Sequence, residues 1–155
     1  MQDITSKQKK VLLVASQGGH WVQLRKIAVA FNGMDIHYVS TVQGVDSEVA
    51  PAPLTVVKDA NLTDKLGLIP MALKILWIVL RFRPDVIVST GAAPGFFAIV
   101  FGKLLGAKTI WIDSIANADN LSTSGEKVRR FSDLWLTQWP HLAEVDGPHY
   151  KGGVL

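Results

Sequence analysis

The chain has 155 residues, 48% of them hydrophobic and 19% charged, with a formal net charge of +3 at pH 7. That length suits one domain with a sizeable core. So small a charge argues against a nucleic-acid specialist, and no nucleic-acid partner is expected. The absence of cysteine excludes disulfides and thiolate metal sites. Residues 1–10 are polar and basic with no apolar centre, so no secretory leader is expected. No run reaches the roughly 20 apolar residues of a membrane span.

Strand and helix patterns alternate along the chain, which predicts parallel βαβ units. Val11 to Ala15 is an unbroken apolar run, the pattern of a strand covered on both faces. Ser16-Gln17-Gly18-Gly19-His20 follows as a turn with no bulky side chain over its backbone, so a ligand can approach closely. The next helix runs from Trp21 to Phe31 and stops at Asn32-Gly33. Its free N–H groups and positive dipole end point at that turn, which favours an anion such as a phosphate. Ile36 to Ser40 is a second strand, Gln43 to Pro53 a loop, and Leu54 to Lys58 a third strand. Asn61 to Asp64 is a loop with capping residues. Pro70 suits the first turn of a long helix reaching Phe82, which Arg83-Pro84 ends. Asp85 to Ser89 is a fourth strand. Thr90 to Gly95 is a second small-residue turn, leading to a helix from Phe96 to Leu105. Lys108 to Ile112 is a fifth strand, Asp113 to Gly125 a polar loop, and Glu126 to Phe131 a short helix. Leu134 to Thr137 is the last predicted strand, and the tail from His141 is irregular.

In an open sheet of this kind ligands bind at the carboxyl ends of the strands. The loops at 16–20, 90–95 and 113–125 converge there. Several familiar chemistries are excluded. The first turn is not G-x-G-x-x-G, and strand two ends in Ser40-Thr41 without the acidic residue of a dinucleotide site. There is no phosphate-loop lysine and no G-x-S-x-G elbow. His20, His37, His141 and His149 lack metal spacing, so no metal is expected. His37 reads as a packed or surface strand residue, His141 and His149 as solvated.

Five stretches carry a resemblance. They are Ser16 to His20, Arg83 to Gly91, Trp111 to Ser114, Leu121 to Gly125 and Thr137 to Pro140. In this order they resemble the acceptor-side, membrane-anchor subunit of split UDP-sugar glycosyltransferases. That group includes the anchor subunit of the dolichol-linked chitobiose N-acetylglucosaminyltransferase and bacterial exopolysaccharide and capsule homologues. The chain is also distantly similar to the N-terminal half of the peptidoglycan lipid-I N-acetylglucosaminyltransferase. The polar, basic start predicts a flexible N-terminus over residues 1–9, and the strand–helix alternation predicts one α/β, Rossmann-like domain over 10–155 with a mainly parallel sheet. By the resemblance, that domain would be equivalent to the N-terminal half of a GT-B glycosyltransferase. The resemblance also implies a half-enzyme at the cytoplasmic face of the membrane, inactive without a separate donor-binding subunit. The acceptor would be a polyprenyl-diphosphate-linked saccharide. The UDP-sugar would sit on the partner, this chain binding no cofactor of its own, and transfer would be inverting and metal-free.

Candidate site residues keep competing readings. His20 could take the proton of the acceptor hydroxyl, hold its diphosphate, or merely bond the turn. Asp113 could accept a proton, bind a sugar hydroxyl, or cap the loop from Ser114 to Asn117. Ser16, Gly18 and Gly19 are candidates for the phosphate, with Gly91 and Gly95 letting a helix start approach the ligand. Ser114, Asn117 and Ser124 could bond sugar hydroxyls or serve as turn residues. Leu66 to Phe82 is apolar almost all round. It could lie in the headgroup plane through Lys74, Trp77, Ile78 and Arg81, or be buried on the sheet. Phe96, Phe97 and Phe101 could extend that patch or belong to the core. Two other functions fit the same residues: a non-catalytic recruitment protein, and a stand-alone nucleotide-binding module.

Overall fold

In the computed structural model, which describes residues 7–60 and 63–155, the apolar run of strand one becomes the centre of a sheet. β1 (Lys10–Ala15) is flanked by β2 (Asp35–Ser40) and β4 (Val86–Gly91). Beyond them lie β3 (Leu54–Val56) on one side and β5 (Lys108–Ile112), β6 (Leu134–Thr137) and β7 (His149–Tyr150) on the other. All seven strands run parallel. Alternation along β1 explains its composition. Leu12 and Val14 enter one core and Val11, Leu13 and Ala15 the other, because helices cover both faces.

α1 (Gly19–Ala28) closes one face through Trp21, Leu24 and Ala28. On the other face lie α3 (Lys65–Phe82) and α4 (Ala92–Leu104). Strand order 3-2-1-4-5-6-7 reverses between β1 and β4. The helices that follow these two strands, α1 and α4, pack on opposite faces of the sheet, the topology in which ligands of open α/β sheets bind at the carboxyl ends of the strands.

Several elements depart from the expected pattern. α3 begins at Lys65, so Pro70 lies past its first turn. The Asp64 side chain sets the start by accepting from the Gly67 amide at 2.9 Å. Of the expected loop at 61–64, residues 61 and 62 lie outside the described residues. α4 begins at Ala92 rather than Phe96, which puts Pro94 in its first turn. α2 (Asp46–Val49) is a single turn inside the expected loop, and α5 (Thr123–Lys127) starts on the Ser122 cap. The tail forms β7, pairing His149 with Leu136 and Tyr150 with Thr137. Of the expected N-terminal segment, Gln8 bonds the Gly33 carbonyl and the Lys9 carbonyl accepts from the Asp35 amide.

Candidate active site at the β1–β4 switch point

The turn after β1 delivers His20 to the reversal point. Gly18, at φ 73°, precedes the helix, and no side chain caps the first-turn amides of α1. The imidazole crosses to the end of β4, where Nδ1 lies 2.9 Å from the Thr90 carbonyl. A carbonyl only accepts, so Nδ1 carries the hydrogen and the neutral ring keeps its lone pair on Nε2. Among the described residues Nε2 has no hydrogen-bond partner. The Thr90 hydroxyl returns a bond of 2.7 Å to the His20 carbonyl, locking the start of α1 to the end of β4. Gly91 makes room for the ring. Its φ is 137°, and a Cβ there would lie 2.5 Å from the His20 ring atoms Nδ1 and Cε1.

Asp113, at the end of β5, is 1% exposed and surrounded by donors. Oδ1 accepts from Trp111 Nε1 at 3.1 Å and Ser122 Oγ at 2.6 Å. Oδ2 accepts from Asn117 Nδ2 at 3.0 Å and the Ser122 amide at 2.9 Å. Two donors on each oxygen fill the lone pairs of a carboxylate. The side chain therefore staples the 113–122 loop to β5, and Ser122 extends the staple by capping α5 through the Gly125 amide at 2.9 Å.

The remaining candidates separate into rim and interior. Gly18 and Gly19 are exposed on the turn, whereas Ser16 is buried beneath it. Ser114 and Ser124 are both 5% exposed, and Asn117 spends its amide on Asp113. Gly95 does not offer backbone to a ligand, because it packs against β4, where a Cβ would collide with Ser89 Oγ. Ile78 does not reach any outer surface. It is 2% exposed, in the core with Met71, Ile75 and Val79. The exposed side of α3 carries Leu66, Ile69, Leu73, Trp77 and Leu80 instead, beside Lys74 and Arg81. Lys74 Nζ lies 5.4 Å from the Trp77 ring centroid. Phe96, Phe97 and Phe101 pack against the core and so do not extend this stripe.

His37 packs edge-on against Phe82 at 5.2 Å and bonds Thr55 Oγ1 at 2.7 Å. Burial holds its pKa below the usual 6.5, with Asp35 opposing. His141 is not simply solvated, since Nε2 donates to the Ala118 carbonyl at 2.6 Å. Sequence reasoning passed over Gln23 and Gln138, 1% and 4% exposed. The available signal was a glutamine on the apolar side of a helix, between Trp21 and Leu24.

Comparison with known proteins decides the family. Residues 55–154 match the family model described as "Oligosaccharide biosynthesis protein Alg14 like". The chain belongs to the Alg14 family. An Alg14-family relative, the UDP-N-acetylglucosamine transferase subunit alg14 of Schizosaccharomyces pombe, is 26% identical over 164 residues, covering 88% of this chain and 78% of that protein. The ALG14 subunit of Mus musculus is 36% identical over 73 residues, 43% of this chain and 34% of the mouse protein. Among solved structures, MurG of Acinetobacter baumannii superposes with a TM-score of 0.72 at 11% identity. The match covers 94% of this chain and 45% of MurG. The Alg14-family chain thus has the fold of the N-terminal half of a GT-B glycosyltransferase and spans less than half of MurG. UDP-GlcNAc 2-epimerase from Neisseria meningitidis shares the fold at a TM-score of 0.62 and 13% identity. Among the described residues, no helix is long and apolar enough to cross a membrane.

Proposed function

We propose that this chain is the acceptor-binding half of a two-chain glycosyltransferase that uses UDP-N-acetylglucosamine. It holds a polyprenyl-diphosphate-linked saccharide in the β1–β4 crevice and docks a partner chain that carries the nucleotide sugar. The observation that carries this reading is His20, fixed through Nδ1 on the Thr90 carbonyl at the switch point with Nε2 unclaimed. A ring fixed in this way serves as a general base. The acceptor hydroxyl attacks the anomeric carbon of the donor sugar while its proton passes to Nε2. The bond from sugar to UDP breaks, UDP departs, and configuration at the anomeric carbon inverts. Backbone N–H groups of the Gly18-Gly19 turn and the α1 dipole attract the acceptor's diphosphate. Asp113 keeps the 114–122 loop in place and takes no proton.

The membrane reading rests on α3. Leu66, Ile69, Leu73, Trp77 and Leu80 recur at helical spacing and are 50–83% exposed. The flanking cations complement anionic headgroups, so the helix lies in the interface of the cytoplasmic face without spanning it.

Reconstitution tests the proposal. The chain is purified alone, then with a candidate donor-binding partner, and assayed with UDP-N-acetylglucosamine and a polyprenyl-diphosphate acceptor. Transfer only by the complex, reduced at least about a hundredfold by His20→Ala, is the expected result. A complex whose turnover is unchanged by His20→Ala would remove the catalytic role and leave recruitment alone.

A further inference from the structure

A buried junction of two glutamines joins the first turn of α1, the loop after β5, the segment after β6 and the tail at Val154. Gln23 Nε2 donates to the Gly19 carbonyl at 3.1 Å and to Ser114 Oγ at 3.1 Å. Gln23 Oε1 accepts from the Ile115 amide at 3.2 Å and from Gln138 Nε2 at 2.6 Å. Both donors and both lone pairs of this amide are therefore in use. Gln138 Nε2 also donates to the Asp113 carbonyl at 2.9 Å, and its Oε1 accepts from the Val154 amide at 3.0 Å. Backbone partners fix which end of each amide is oxygen. A turned Gln23 would set NH2 against the Ile115 N–H and oxygen against the Gly19 carbonyl.

No other side chain of this length supplies two donors and two acceptors. Glutamate lacks the donors, and leucine or methionine lacks both. The junction sets the first turn of α1, and with it His20, at a fixed distance from the loop that carries Ser114 and Asn117. It also ties the segment after β6 and the tail at Val154 to the same point.

We infer that Gln23 and Gln138 are positioning residues for His20: they hold the α1 first turn in the place where the imidazole keeps its Nδ1 hydrogen on the Thr90 carbonyl. This rests on the proposed role of His20 as base, but its test does not require that role. In the isolated chain, the imidazole nitrogens of His20 are followed by nitrogen-15 NMR in wild type, Gln138→Leu and Gln23→Met. Folding is checked by circular dichroism, and Gln23→Met, which keeps chain length, serves if Gln138→Leu does not fold. Wild type shows the single Nδ1–H tautomer, and the folded variants show a mixture of tautomers.

In the reconstituted complex, Gln138→Leu lowers kcat about tenfold with the KM for UDP-N-acetylglucosamine unchanged. In a His20→Ala background it has little further effect, because the route to the chemistry is already cut. A tautomer signature unchanged in both folded variants overturns the inference, as does an equal fold-loss of kcat in both backgrounds. A changed signature in a complex with no transferase activity at all upholds the positioning role and sinks the transferase reading instead.

Discussion

Replacing Asp113 by asparagine separates a structural carboxylate from a chemical one. The asparagine can place its amide nitrogen at either oxygen position. At the Oδ2 position it would meet two N–H donors, from Asn117 and from the Ser122 backbone. At the Oδ1 position it meets Trp111 Nε1 and the Ser122 hydroxyl, and the hydroxyl can turn to accept. The second orientation is favoured and strands one buried donor, the Trp111 indole N–H. An unsatisfied buried donor costs about 1–3 kcal/mol. The other bonds weaken as the charge is lost, partly offset by easier burial of a neutral amide. A net loss of about 2 kcal/mol corresponds to roughly 4–8 °C in Tm for a chain of this size. Asp113→Ala strands three N–H donors and should cost about 3 kcal/mol or more by the same reasoning. Urea denaturation of the isolated chain measures both. In the complex, the loss of activity in Asp113→Asn should be modest and recover on cooling. Stability within about 0.5 kcal/mol of wild type, together with a loss of transfer of about a thousandfold or more, would refute the structural reading and return Asp113 to the chemistry.

Gly91→Ala should displace the His20 ring, since the added methyl falls 2.5 Å from it and φ is 137°. Transfer by the complex should drop at least about tenfold, more than a Tm loss of a few degrees explains. For His37, burial lowers the folded pKa below 6.5. Between 6.5 and that lower value the unfolded chain binds a proton that the folded chain refuses. The stability contribution is therefore complete above pH 6.5 and is lost as pH falls, by at most about 1.4 kcal/mol per pH unit. His37→Gln should flatten that slope in denaturation curves taken across the acid range, and an unchanged slope would assign it to other groups. Leu73→Gln with Trp77→Gln should abolish flotation with anionic vesicles while leaving Tm nearly unchanged, because both side chains are about 60% exposed. Flotation that survives both substitutions would discard the α3 surface.

Much of the fold was legible because burial on both faces leaves a plain mark. Val11 to Ala15, Asp85 to Ser89 and Lys108 to Ile112 carry unbroken or nearly unbroken apolar runs, and each forms a central strand. Marginal elements left no such mark. β7 is two residues held by pairing with Leu136 and Thr137, a contact that local sequence does not encode. The start of α3 is misplaced in sequence because Pro70 reads as marking the first turn, although 61–64 already carries capping residues and Asp64 sets the true start. At the site, the glycine turn and His20 stood out as residues whose types suit few other places. Gln23 and Gln138 did not, since a glutamine in sequence looks the same on a surface as in a saturated buried junction. The role of Ile78 was misread for a related reason. α3 is apolar all round, so periodicity alone does not say which side meets the sheet.

The claim that this chain is the acceptor half is met most directly by calorimetry on the chain alone. A water-soluble analogue of the diphosphate-linked saccharide should bind and UDP-N-acetylglucosamine should not, with His20→Ala weakening the analogue. Tight binding of the nucleotide sugar to the lone chain, with no response to the analogue, would contradict the account.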